Sequence, residues 1–136
     1  MTTAFRWQDD YSVKVRAMDE QHKKLFELLN ELQNATASGN GHATTGEVLR
    51  RLVDYTVHHF SAEERLMEKY RFAGLPTHRG EHTVLRERVL AFQQEFDAGS
   101  AEATPELTKF LQRWLTHHIL TVDQRYSDFL NAKGIR

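Results

Sequence analysis

Four stretches of this 136-residue chain repeat their apolar residues at steps of three and four, and glycine or proline interrupts the pattern between one stretch and the next. That spacing is the period of an α-helix laid on a core, not the alternation of a half-buried strand. The first stretch carries Leu25, Leu28, Leu29 and Leu32 and is expected to run from a cap at Asp19 to about Ser38. Gly39, Asn40 and Gly41 then break it. The second opens on Thr44 with Glu47 three residues on, a capping-box pair, and its inner stripe reads Leu49, Leu52, Thr56, His59, Glu63, Leu66 and Tyr70. Gly74-Leu75-Pro76 starts the third, whose stripe is His78, His82, Leu85, Val89, Phe92 and Phe96, ending near Gly99. The fourth follows Thr104-Pro105, presents Leu107, Leu111, Trp114, His118 and Ile119, and stops near Gly134. Connections this short make neighbouring helices antiparallel. The expected fold is all-α: an up-down-up-down four-helix bundle over residues 19–134, with an extended N-terminal arm, Thr2 to Met18, packed on it through Phe5, Trp7, Tyr11, Val13 and Val15. Residues 1–136 are read as one domain, a size that can bury a core.

Composition removes several function classes. A net charge of -1 gives no electrostatic case for binding nucleic acid or an anionic membrane. No apolar run approaches the roughly eighteen residues of a membrane span, and the first ten residues, with Arg6, Asp9 and Asp10, lack the apolar stretch of a secretory signal. With no cysteine, disulfides, thiolate metal sites and iron–sulfur clusters are excluded, and a cytoplasmic, monomeric protein is expected.

The stripes also carry polar residues where packing calls for apolar ones. His59 and Glu63 are four apart, as are His78 and His82, so each pair shares a helix face. His22 lies on the face of Leu25 and Leu29. His118 and Asp123 are five apart, which on a regular helix leaves about 140° between them. A single π-type turn would close that gap, and such turns favour functional sites. Any one of these histidines alone is better read as a hydrogen-bonded core residue. Five histidines and two carboxylates aimed inward from four helices are a different matter, because burying them without a partner is costly. Imidazole with carboxylate suits first-row metals. Seven donors exceed the four that tetrahedral zinc takes, so the set fits a dinuclear centre.

The order His22, His59-Phe60-Ser61-Ala62-Glu63-Glu64, His78-x-x-x-His82 and His118-x-x-x-x-Asp123 resembles the signature of the hemerythrin family. Asp19-Glu20-Gln21-His22-Lys23-Lys24-Leu25 and Trp114-Leu115-Thr116-His117-His118-Ile119-Leu120 extend the likeness, which runs from Trp7 to Leu130. Phe72-Ala73 departs from the Tyr-Pro that members often carry, in a loop away from the motif. The resemblance implies two iron ions. His78, His82 and His118 would hold one, and His22 and His59 the other, which keeps an open position. Glu63 and Asp123 would bridge them with a hydroxide or oxo group. It implies reversible binding of dioxygen at that open position, with Phe60, Trp114, Leu115 and Ile119 walling a dry pocket, and an oxygen-consuming enzyme as recipient. An oxygen or redox sensor and a di-iron oxidase or peroxidase are the alternatives. Ferritin-like oxidases use Glu-x-x-His pairs, and this chain contains none. A zinc hydrolase would be expected to show His-Glu-x-x-His, also absent. His42, in a glycine-rich loop, and His58 and His117, off the inward face, are assigned to the surface or to supporting roles. Glu64 is read as a solvated charge.

Overall fold

The four stripes close on one another in a ring. A computed structural model describes residues 7–37, 42–99 and 103–136. Its long helices are α1 (Arg16–Ala37), α2 (His42–Lys69), α3 (Leu75–Asp97) and α4 (Ala103–His117). A π-helical turn (His118–Val122) continues α4 into α5 (Asp123–Ala132). Helix α1 packs on α2, α2 on α3, α3 on α4 and α4 on α1. This is the up-down-up-down bundle expected from the short connections. No strand occurs among the described residues, and none of their helices is long and apolar enough to cross a membrane. Thr2 and Phe5 of the arm, and the break expected at Ser38, Gly39, Asn40 and Gly41, lie outside the described residues.

Three helix starts differ from expectation. Helix α1 begins at Arg16, so the arm ends at Val15 rather than Met18 and Asp19 is not a cap. Helical side chains lean toward the N-terminus, and the Asp19 carboxylate accepts from the Ser12 hydroxyl (2.6 Å) and the Val13 amide (2.8 Å). It ties down the arm instead. The far side of the arm is held by α5, where Gln124 Nε2 donates to the Ser12 carbonyl (3.1 Å), Asn131 Nδ2 to that of Lys14 (2.9 Å) and the Ser127 hydroxyl to that of Val13. Helix α2 begins at His42, so that residue is helical rather than in a loop and Thr44 sits within the first turn, exposed. Helix α4 starts at Ala103, one residue ahead of the expected cap at Thr104. Helix α3 starts as read: Gly74 precedes it, Pro76 lies in its first turn, and all six stripe residues are buried. Gly99 and Gly134 end their helices with φ of 97° and 83°, a left-handed conformation that glycine adopts without strain.

The core divides in two. One apolar cluster gathers Leu25, Leu29, Phe60, Leu85, Leu115 and Ile119 among others; the second gathers Val13, Val15, Met18, Met67, Tyr126 and Leu130. Met67, not the expected Leu66 or Tyr70, is the buried residue after Glu63, because a period of 3.6 returns to the inner face four residues on. On each helix the inward polar residues fall between the two clusters: His22 between Met18 and Leu25, Glu63 between Phe60 and Met67, Asp123 between Ile119 and Tyr126. A polar layer with apolar material on both sides is shielded from water.

Candidate metal centre

His118 and Asp123 meet because the helix carrying them changes its winding. Residues His118–Val122 form the π turn, and the Asp123 amide donates to the His118 carbonyl five residues back. That turn brings two residues five apart onto one face. Side chains satisfy carbonyls that the wider turn loosens: the Thr121 hydroxyl donates to the His117 carbonyl and Gln124 Nε2 to that of Ile119 (3.4 Å).

All seven inward residues converge. His22, His59, Glu63, His78, His82, His118 and Asp123 are each buried to 3% exposure or less. Glu63 Oε1 faces His78 Nε2 (3.4 Å) and His82 Nε2 (3.1 Å), while Oε2 faces His22 Nε2 (3.3 Å) and His59 Nε2 (3.4 Å). Asp123 divides in the same way: Oδ1 faces His78 Nε2 (3.1 Å) and His118 Nε2 (3.0 Å), and Oδ2 faces His22 Nε2 (3.2 Å). Each carboxylate thus offers one oxygen to a three-histidine group and the other to a two-histidine group. Donor atoms of Glu63, His78, His82, His118 and Asp123 lie within 4.8 Å of one another, and so do those of His22, His59 and Glu63.

His22 Nε2 and Glu63 Oε2 form a hydrogen bond, but most of these contacts are close without being aligned as hydrogen bonds. Among the described residues, buried atoms without a hydrogen-bond partner include Glu63 Oε1, both Asp123 oxygens and Nε2 of His78, His82 and His118. Such orphans cost about 1–3 kcal/mol each, and nitrogen and carboxylate lone pairs pointed at a common centre are what a divalent cation satisfies. The residues fit a metal site. Without a cation, protons take part of that role. Burial disfavours a charged His22, but Asp123 and Glu63 outweigh it and push the imidazole up to about 10; His78 is raised to about 9 in the same way. His59 is lowered by burial. The Glu63 carboxyl would rise on burial, yet the surrounding imidazoles, His59 first, hold it well below the usual range. Asp123 is likewise lowered, although burial and Glu63 act against it, chiefly by His118.

An outer set of residues fixes the rings, and sequence reasoning missed it. Gln21 Oε1 lies 2.7 Å from His59 Nδ1, Glu64 Oε2 lies 3.0 Å from His82 Nδ1, and Glu81 Oε2 lies 3.3 Å from His118 Nδ1. An acceptor at Nδ1 places the proton there and leaves the Nε2 lone pair for the centre. Glu64, read as a solvated charge, is therefore a buried-side acceptor, held in turn by Arg79 Nε at 2.9 Å. Tyr126 donates its hydroxyl to Glu63 Oε2 (2.6 Å), and burial beside two carboxylates keeps that hydroxyl protonated. The available signal was adjacency: Gln21, Glu64 and Glu81 each neighbour an inward residue on their own helix and reach a histidine on the next. Phe60 stacks on His82 (3.8 Å between centroids, 3° between planes) and half-buried Trp114 on His118 (4.2 Å, 15°), so both clamp imidazoles. Leu115 and Ile119 lie buried in the larger apolar cluster. His58 and His117 are exposed.

The hemerythrin HHE cation binding domain matches residues 13–130 of the chain. The bacteriohemerythrin of Stenotrophomonas maltophilia (strain R551-3) is 39% identical over 93% of this chain and 81% of its own length. That of Methylococcus capsulatus (strain ATCC 33009 / NCIMB 11132 / Bath) is 37% identical, over 90% and 93%. Among solved structures, a wild-type hemerythrin superposes with a TM-score of 0.87 at 35% identity, covering 93% of this chain and 97% of that one.

Proposed function

The chain belongs to the hemerythrin family, and on that premise we propose that it binds dioxygen reversibly at a centre of two iron ions, as a store or carrier rather than an enzyme. The observation that supports this most is the division of Glu63 and Asp123, each with one oxygen toward His78 and its neighbours and one toward His22. In this reading His78, His82 and His118 hold one iron and His22 and His59 the other. Glu63 and Asp123, each with one oxygen toward either histidine group, would contribute to both ions. When bound, the ferrous pair supplies the two electrons that dioxygen accepts and takes them back on its release.

The protein's own share is orientation and exclusion of water. Gln21, Glu64 and Glu81 set the tautomers, Phe60 and Trp114 fix two rings, and Leu115 and Ile119 supply apolar surface that slows loss of reduced oxygen to solvent. Tyr126 keeps a proton on Glu63's edge of the site. An oxidase would need more carboxylate to stabilise iron beyond the ferric state; only two enter this centre. An oxygen-consuming enzyme is the proposed recipient.

A visible spectrum of the iron-loaded, reduced protein through one cycle of oxygen addition and removal tests the reading. A charge-transfer band that appears with oxygen and fades on its removal is expected. A spectrum that moves once to a diferric form and does not return would reassign the protein to redox sensing or to oxidase chemistry.

A further inference from the structure

Gly80 has no local reason to be glycine. It lies exposed inside α3 without a positive φ, and a Cβ built on it meets nothing within 4 Å. A glycine there weakens the helix relative to alanine. What its missing side chain leaves open is a cleft of about 310 Å³ between α3 and α4, whose walls include Glu81, Trp114, His117 and His118. Of the five inward histidines, His118 is the one that borders it.

From this cleft a line of donors leads to the buried centre. Glu81, 40% exposed, lies 3.3 Å from His118 Nδ1, and His118 Nε2 lies 3.0 Å from Asp123 Oδ1. The comparable carboxylate, Glu64, is 17% exposed and already neutralised by Arg79. Among the described residues no lysine or arginine pairs with Glu81, so its charge is free to attract a cation. Carboxylate and imidazole at the mouth suit a divalent metal ion, beside an apolar wall formed by Val84 and Trp114.

We propose that this cleft is the port through which a divalent cation enters and leaves the centre. Glu81 captures the ion at the mouth, and His118, with Nδ1 toward Glu81 and Nε2 toward Asp123, marks the edge it passes to reach the buried carboxylate. The proposal rests on the metal-centre reading above, and its test separates the two. The full chain is loaded with Co²⁺, and release to excess chelator and uptake by the stripped chain are both timed. Gly80→Phe is the variant chosen to fill the cleft, since a Cβ at this lining position meets nothing within 4 Å. A blocked port slows release and uptake by the same factor, about tenfold for each 1.4 kcal/mol of added barrier, and leaves affinity and stoichiometry unchanged. Glu81→Gln slows uptake while two ions still bind. Wild-type rates in both variants overturn the port. So does a Gly80→Phe protein whose oxygen exchange slows while metal release does not. A Glu81→Gln protein that loses affinity at unchanged uptake rate shows mere support of His118 and overturns the route. Fewer than two Co²⁺ bound by the wild-type chain would instead defeat the dinuclear reading.

Discussion

His22 and His78 sit within 3.1–3.4 Å of two buried carboxylates, and in the metal-free chain this holds their protons to about 10 and about 9. A histidine in the unfolded chain titrates near 6.5. The ion pairs therefore stabilise the metal-free fold fully below about pH 6.5, and that contribution is lost as pH rises through about 9 and then about 10. A cation must displace the same protons. Metal binding at pH 7 is expected to release protons, and affinity to rise as pH is raised toward about 10. Calorimetric titration in buffers of different ionisation heat measures this; identical heats in every buffer would mean the histidines were already neutral. Outer partners also act at this scale. Glu64→Gln is expected to weaken metal affinity about 10–100-fold in chelator competition, while His58→Ala, at an exposed position, leaves it unchanged. Equal losses in the two variants would place the α2 register wrongly.

At the scale of elements, the π turn decides whether α4 and α5 can serve one centre. It absorbs one residue, so His118 and Asp123 share a face although five apart. Deleting Leu120, which is 40% exposed, should convert the turn to regular α-helix with the two ligands four apart and still aligned. Inserting an alanine after Leu120 adds about 100° of rotation and should swing Asp123 and Tyr126 away from Glu63. Metal stoichiometry by elemental analysis distinguishes them: two ions for the deletion, fewer for the insertion. Two ions in both would show that the helix pair slides freely and that the turn has no positioning role. The α2 stripe shows how far pattern reading carries here. His59 and Glu63 were legible from their spacing, but Met67 was not, because alternating steps of three and four drift from the true period within a few turns.

Across the whole molecule, a layer of buried carboxylates and imidazoles sits between two apolar clusters, and a bound cation would neutralise it. At a free metal concentration one hundred times Kd, each bound ion should stabilise the fold by about 2.7 kcal/mol. Differential scanning calorimetry of loaded and stripped protein checks this, and identical melting would count against a buried site. The sequence by itself determined the helical class, the bundle and the seven inward donors, because burial at a fixed helical period is a property of a single helix and needs no neighbour. It could also ask for a π turn, since five-residue spacing conflicts with one face. Only the tertiary structure decided which oxygen of Glu63 and Asp123 faces which histidines, that Gln21, Glu64 and Glu81 each reach the next helix, that Asp19 holds the arm instead of capping α1, and that Gly80 opens a cleft beside His118. Those are contacts between helices, fixed by how neighbouring faces rotate and pack, and no periodicity along one segment encodes them.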